Sequence, residues 1–430
     1  MATTSTSQRT DVQFRLGQDH ITSPGTSRGR LGKRGAALRS SVIILAVLTA
    51  AVLTFLLQML LSRSLSSTEF GLYALINSIL AMSAPVASAG VAALLLRRKV
   101  RGEGGSIRTA LVASGALCVI AALITVLVAA ALGGGAGVPL LLSTLCFAMA
   151  GQAVSVSASQ AGGEQGKVAV AQVILPLLRL LGGMTAVAVG ARLFGVSVAL
   201  ALSGAASLCC YWALRLRSDW TSEAWVPGAA VSFLRQSIPY SVNAVVNVAQ
   251  LQLLVAISSA VFDLEVTGQI AIVMTLLAAL YLLPNTVFGV ILLPRYHRII
   301  PGEKGRWLPV YHSLLAACGA LLLLPVVWWK GRELMELAFG SAGVAAYPLL
   351  AVVIWAVPLR FYSTGVGAAL LSEKAIRWKV PSSIAAVVMQ ASLCIFLAGR
   401  AEHVFAMAMI AGELLVAILY STVLAREFRK

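Results

Sequence analysis

Charged side chains are scarce in this sequence, and acidic ones are the scarcest. Asp and Glu together number 16 among 430 residues, and charged residues of both signs make up 11%. A soluble domain normally carries about 25% charged residues, so the composition excludes a soluble globular protein. Hydrophobic residues make up 59% of the chain, which predicts an all-α, multi-pass membrane protein.

Residue patterns that bind metals or form disulfides are missing as well. The six cysteines lie in apolar runs without a C-x-x-C pair, which favours a role as small packing residues. The four histidines show no metal-ligand spacing among themselves. We therefore predict no metal site and no cofactor for this chain.

Apolar runs of membrane-spanning length dominate the rest of the sequence. A transmembrane helix needs roughly 20 predominantly apolar residues, and twelve segments of this chain satisfy that length. The connections between them are too short to hold an inserted soluble domain. The predicted segments are 40–61, 71–96, 108–131, 138–160, 168–190, 194–214, 236–261, 267–293, 308–329, 344–371, 379–398 and 402–425.

Basic residues fall on alternate connections between these segments. Of the 33 Lys and Arg residues, 26 lie on one side of the predicted membrane and 5 on the other, while Arg179 and Arg360 lie inside segments. The positive-inside rule assigns the richer side to the cytoplasm. Both termini are therefore predicted to be cytoplasmic, in a cytoplasmic-membrane protein. The same distribution explains the net charge of +17 without nucleic acid as a partner.

Weak internal repetition divides the chain into two halves. Pro85 in the second segment and Pro284 in the eighth precede an arginine by twelve and eleven residues. Six segments separate the copies, so both halves enter the membrane in the same orientation, and parallel repeats place substrate sites between the halves. We predict a disordered basic cytoplasmic tail (1–38), an N-terminal lobe (39–217), a cytoplasmic linker (218–235) and a C-terminal lobe (236–430).

The stretch from Leu57 to Arg98 carries a recognisable pattern, LQMLLSRSLSSTEFGLYALINSILAMSAPVASAGVAALLLRR. It resembles the opening of polysaccharide exporters, the lipid-linked oligosaccharide flippases of the multidrug/oligosaccharidyl-lipid/polysaccharide (MOP) superfamily. The matching residues are the turn and the start of the second helix, and Pro239 after FLRQSI resembles the proline that opens the second half. One position departs from the pattern, because an aspartate-containing site in the seventh helix is replaced by Ala249-Gln250-Leu251-Gln252.

This resemblance implies an architecture, a substrate and a set of partners. It implies two six-helix lobes around a central cavity that opens alternately to each side of the membrane. The implied substrate is an undecaprenyl-pyrophosphate-linked oligosaccharide that moves to the outer leaflet. The implied partners are membrane lipids and the polymerase or glycosyltransferase machinery of polysaccharide synthesis, and the implied activity is transport, not catalysis.

Amide side chains within the segments are the first candidate site residues. Asn243, Asn247 and Gln250 occur at positions i, i+4 and i+7 of the seventh helix and share one face. Amides donate and accept hydrogen bonds, so they suit sugar hydroxyls. Asn77 on the second helix and Gln172 on the fifth complete the predicted cavity lining. The alternative for each amide is a hydrogen bond between helices.

Three charges inside the segments are the second set of candidates. Arg179 and Arg360 are predicted to grip a pyrophosphate, because a guanidinium binds phosphate oxygens through two parallel hydrogen bonds. Alternatively, Arg360 pairs with Glu413 as a structural ion pair within the C-terminal lobe. A third possibility is that Glu413 carries a coupling proton. For Arg179, no acidic residue lies in the N-terminal segments except Glu69 and Glu164 near their ends.

Three classes of function compete at this point. A flippase for lipid-linked oligosaccharide agrees with the basic and amide residues inside the segments. A small-molecule drug antiporter of the same superfamily typically uses acidic residues in its first lobe, which this sequence lacks. A membrane oligosaccharide polymerase or ligase typically carries a large external loop with catalytic groups, and the longest external connection predicted here, 330–343, contains no such set.

Overall fold

The computed structural model describes residues 28–101, 106–132, 135–216, 228–292, 296, 307–370, 376–397 and 403–429, and within them the regular structure is helical. The helices of the first half are α1 (Arg28–Ser64), α2 (Ser67–Ala87), α3 (Ala89–Arg101), α4 (Ile107–Ala131), α5 (Gly137–Ser143), α6 (Leu145–Ala161), α7 (Gln165–Ala188) and α8 (Leu193–Tyr211). Those of the second half are α9 (Ala229–Val261), α10 (Leu264–Thr286), α11 (Leu308–Leu321), α12 (Leu323–Phe339), α13 (Ser341–Val353), α14 (Ala356–Ala369), α15 (Ile376–Leu397) and α16 (Val404–Arg429).

These helices form the predicted number of membrane spans. Among the described residues, 11 helical stretches are long and apolar enough to cross a membrane, and the bent pair α13–α14 makes up to 12. The bend of 56° between α13 and α14 has a local cause at Pro358. Proline has no N–H for the carbonyl of Ile354, which accepts from the Val357 N–H at 3.0 Å instead. The prediction of an all-α membrane protein is confirmed.

Several boundaries differ from those expected from hydropathy. The predicted external connection 330–343 is largely helical, because α12 continues to Phe339 and only Gly340 separates it from α13. Gly340 permits this sharp reversal through its φ of +66°. Helix α1 already begins at Arg28, within the predicted tail 1–38, and α9 begins at Ala229, within the predicted linker 218–235. Residues 1–27 and 217–227 lie outside the described residues.

The two halves share a structural feature at their matched prolines. Helix α2 ends at Ala87, two residues after Pro85, and α10 ends at Thr286, two residues after Pro284. After α2 the chain continues into α3, and after α10 it continues as a π-helical turn. A proline removes one backbone hydrogen bond and so disrupts the helix around it. The matched prolines therefore lie at equivalent distances from the ends of α2 and α10.

Helix α2 holds the two halves together. Near its start, a Cβ atom at Gly71 would collide with the backbone carbonyl of Leu264 on α10, so only glycine permits this close approach. Beyond its other end, Gly90 on α3 packs in the same way against Ser237 and Ser241 of α9. Close packing of helix backbones through small residues is how membrane helices gain contact area. These contacts join α2 to α10 and α3 to α9, across the two halves of the chain.

Arginine side chains link the halves beyond both ends of α2. At the end of α1, Arg63 donates to the backbone carbonyls of Glu336 and Leu337, which lie in the last turn of α12. The Glu336 carbonyl also accepts from the Gly340 N–H at 2.9 Å. In α3, Arg97 donates to the Tyr240 hydroxyl at 2.7 Å. Both sets of contacts join N-terminal helices to C-terminal ones, on either side of the cavity described next.

Candidate functional site

A cavity of about 430 Å³ lies between the two halves. Its walls come from α1, α2, α6, α7, α9 and α10, so both repeats contribute to it. Among the described residues, none that lines this cavity is acidic. Its polar side chains are amides and hydroxyls: Thr54, Gln58, Asn77, Ser78, Gln152, Gln172, Gln252 and Thr275. The predicted residues Asn77 and Gln172 both line this central cavity.

Arg179, a predicted cavity residue, is not among the residues that line the central cavity. It contacts one of them, Asn77, and its hydrogen-bond partners are neutral. Its Nη2 donates to the Tyr73 hydroxyl and to the Asn77 Oδ1, each at 3.4 Å. Gln58 Nε2 donates to the same Tyr73 hydroxyl at 3.5 Å. No carboxylate of the described residues forms an ion pair with Arg179, and its Nε is buried without a hydrogen-bond partner. The charge of Arg179 is therefore oriented but not neutralised.

Pro176 explains how the wall formed by α7 is built. Because proline lacks an N–H, the carbonyl of Gln172, four residues earlier, has no partner within the helix. Gln152 of α6 supplies one, with its Nε2 at 3.2 Å from that oxygen and 3.1 Å from the carbonyl oxygen of Ala171. The Gln152 amide thus supplies the hydrogen bond that Pro176 cannot, and it adds a polar group to the cavity wall. Gln152 was not predicted as a site residue, although it is a glutamine inside a predicted span.

A second, smaller cavity of about 90 Å³ lies within the C-terminal half. Arg360, Asn247 and Gln250 line it, so three predicted site residues come together here and not at the central cavity. The side chain of Asn243 lies outside the described residues. The smaller cavity is lined by Asn247, Gln250, Asn285, Arg360, Ser363, Thr364, Gly367, Lys379, Val416 and Tyr420.

Helix α9 separates the two cavities. Gln250 lines the smaller cavity and Gln252 lines the central one, and two residues of an α-helix lie about 200° apart around its axis. The unusual Gln-Leu-Gln sequence thus supplies one amide to each side. The prediction that Arg179 and Arg360 together grip one pyrophosphate does not fit this arrangement, because Arg360 lines the smaller cavity and Arg179 lines neither of the two.

Arg360 forms the ion pair with Glu413 that the sequence suggested as an alternative. Arg360 Nη1 lies 3.2 Å from Glu413 Oε1 and 2.6 Å from Gln250 Oε1, and the guanidinium stands 5.2 Å from the centre of the Tyr281 ring. The Glu413 side chain is 0% exposed, whereas that of Arg360 is 14% exposed. Glu413 is therefore buried behind Arg360, and Arg360 lines the smaller cavity.

Lys379 occupies a place that the sequence did not predict. It is the first residue of the predicted segment 379–398 and counts among the 26 cations on the cytoplasmic side. In the structure its Nζ folds between helices and donates to the Gly367 carbonyl at 3.0 Å. It also lies 5.9 Å from the centre of the Tyr420 ring. No pattern in the sequence distinguishes it from the exposed lysines near other helix ends.

Comparison with known proteins identifies the fold. No family model and no curated protein sequence matches the chain. Among solved structures, lipid II flippase MurJ in an inward closed conformation matches with a TM-score of 0.66 and 11% identity over 90% of this chain and 87% of its own. An inward-facing multidrug resistance MATE family transporter of the MOP superfamily matches with a TM-score of 0.65 and 13% identity, over 90% and 98%.

A eukaryotic MATE transporter, AtDTX14, matches with a TM-score of 0.57 and 15% identity over 91% of this chain and 98% of its own. The chain has the fold of the MOP superfamily. That fold is found in a flippase and in multidrug transporters alike. The likeness therefore shows the fold alone, and a function has to be argued from the chemistry of the cavity.

Proposed function

We propose that this protein is a flippase that moves a lipid-linked oligosaccharide, carried on a polyprenyl pyrophosphate, across the cytoplasmic membrane by alternating access. The observation that carries the proposal is the chemistry of the central cavity. Its polar lining consists of amides and hydroxyls, and among the described residues it contains no carboxylate. Export of such a glycolipid would serve the synthesis of a cell-surface polysaccharide.

The neutral lining suits a sugar. Each glutamine or asparagine offers two N–H donors and a carbonyl acceptor, and sugar hydroxyls act as both donors and acceptors. Gln58, Asn77, Gln172 and Gln252 come from four different helices and point into one space. A chain of sugar residues can therefore exchange its water hydrogen bonds for protein ones without leaving a charge buried.

Arg179 suits the phosphate end of the same substrate. Its guanidinium is fixed by Tyr73 and Asn77, and no carboxylate of the described residues neutralises it. An unneutralised cation within a membrane span is costly unless water or an anion is nearby. A phosphate oxygen would provide that anion, whereas a cationic drug would be repelled. The same charge argues against the drug antiporter as the second candidate.

The test measures transport in cells that depend on this protein. Arg179→Gln should lower the outer-leaflet fraction of the lipid-linked oligosaccharide about tenfold or more, because a charge-assisted phosphate contact is lost. Arg179→Lys should retain part of the activity, since the charge remains but the two-pronged contact does not. Arg192→Gln serves as the matched control, because Arg192 is exposed at the start of α8.

Each outcome of this test has a consequence. Equal expression of all variants and a defect confined to Arg179 support an anionic substrate in the central cavity. Wild-type export by Arg179→Gln would remove this residue from the site. Loss of cationic-drug resistance in the cells, with normal glycolipid export, would instead establish the antiporter function.

A further inference from the structure

The smaller cavity in the C-terminal half carries an excess of positive charge. Arg360 and Lys379 both line it, and among the described residues none of its lining residues is acidic. Glu413 lies behind the wall and neutralises one charge only. Two cations against one carboxylate leave a net charge of about +1 inside the helix bundle, where an unpaired charge is costly.

The single carboxylate is already fully engaged. Its Oε1 lies 3.2 Å from Arg360 Nη1, and its Oε2 accepts from the Ser363 hydroxyl at 3.5 Å. Glu413 is 0% exposed and does not face the cavity. Among the described residues, its ion pair is with Arg360, and Lys379 has no carboxylate partner.

Both cations have donors to spare. An ammonium group has three N–H donors, and Lys379 uses one of them on the Gly367 carbonyl at 3.0 Å. Arg360 has five donors, and its Nε is buried without a hydrogen-bond partner. A lysine at a helix end normally extends its ammonium group to water. Lys379 instead holds its ammonium group inside the helix bundle, in the cavity that Arg360 also lines.

Neutral donors complete the surroundings of these charges. Asn247, Asn285 and Thr364 line the same space, on α9, α10 and α14. A volume of about 90 Å³ holds one tetrahedral oxyanion or a few water molecules. Cations flanked by amide and hydroxyl donors are a general solution for binding phosphate oxygens.

We propose that the smaller cavity is a phosphate-binding pocket in which Lys379 and Arg360 supply the charge. The phosphate group comes either from the diphosphate of a polyprenyl lipid or from a free anion in the cytoplasm. Only the first source rests on the proposed function. The chain would then have two basic sites, one at Arg179 in the N-terminal half and one at Lys379 in the C-terminal half.

The experiment measures binding of inorganic pyrophosphate to the purified full-length protein by isothermal titration calorimetry. We expect binding by the wild type and about tenfold or weaker binding by Lys379→Met, because one ionic contact in a desolvated pocket is lost. Lys379→Arg should bind nearly as well as the wild type. The control is Lys330→Met, since Lys330 is exposed and pairs with Glu333 at 2.8 Å.

A parallel arm with geranyl pyrophosphate identifies the source of the phosphate. Tighter, Lys379-dependent binding of the prenyl diphosphate assigns the pocket to a lipid headgroup, while equal binding of both compounds assigns it to a free anion. Undiminished binding of both compounds by Lys379→Met, or no binding by the wild type, would overturn the proposal. Arg179→Gln should leave pyrophosphate binding at Lys379 intact even if glycolipid transport is lost, so the two proposals fail separately.

Discussion

The pair formed by Arg360 and Glu413 predicts an asymmetric response to mutation. In Arg360→Met, the Glu413 side chain, which is 0% exposed, would keep one contact, the Ser363 hydroxyl at 3.5 Å. Removing one partner of a buried ion pair costs about 3–5 kcal/mol of stability, because the other charge stays buried and unpaired. We therefore expect a large loss of thermal stability in this variant.

Glu413→Gln should cost less than Arg360→Met. Arg360 would keep its hydrogen bond to Gln250 at 2.6 Å, its position over the Tyr281 ring and its exposure to the smaller cavity. The loss is then that of a hydrogen bond to a charged group, about 1.5–3 kcal/mol. The double variant Arg360→Met/Glu413→Gln should be more stable than Arg360→Met alone, because no buried carboxylate remains.

The assay is the midpoint of thermal unfolding of the purified protein in detergent, followed by tryptophan fluorescence, with Lys330→Met as the surface control. The expected order of stability is wild type, then Glu413→Gln, then the double variant, then Arg360→Met. If Glu413→Gln were the least stable protein, the burial argument would be refuted. Glu413 would then do more than neutralise Arg360.

Three further predictions concern the fold. Gly71→Ala should reduce transport, because the added Cβ would collide with the backbone of α10. Gly115→Ala should not reduce transport, since a Cβ at Gly115 would enter open space. Equal transport rates of the two variants would contradict this prediction. In a cysteine-free protein, Ala136→Cys should react with an impermeant thiol reagent added outside intact cells, and Gly162→Cys should not. Labelling of Gly162→Cys but not of Ala136→Cys would show that the predicted orientation in the membrane is wrong. Asp263 caps α10 by accepting from the Val266 N–H at 2.9 Å, so Asp263→Ala should cost about 0.5–2 kcal/mol, measured as a lower unfolding midpoint.

Hydropathy alone predicted the spans because the bilayer imposes a minimum apolar length and requires internal hydrogen bonding. It failed at 330–339, where the helix continues beyond the apolar run. There, Lys330 and Glu333 pair across one turn at 2.8 Å, which supports a helix in water as well as in lipid. Length and apolarity contain no information about such extensions.

The residues of the site were predictable one by one, but their grouping was not. Asn77, Gln172, Gln250 and Arg360 were found because a polar side chain inside an apolar segment is costly and needs a purpose. Which of them share a cavity depends on helix packing. Charge counting also placed Lys379 among the cytoplasmic cations, because it considers the position of a residue in the chain and not the direction of its side chain.

The most direct test of the account is reconstitution of the purified protein into liposomes that carry a fluorescent polyprenyl-pyrophosphate oligosaccharide in both leaflets. A membrane-impermeant quencher measures how fast the protected inner-leaflet pool becomes accessible. We expect the wild-type protein to speed this exchange and Arg179→Gln not to, while uptake of a cationic dye is unchanged by either protein. Dye transport without glycolipid exchange would show that the cavity does not serve an anionic, sugar-bearing lipid.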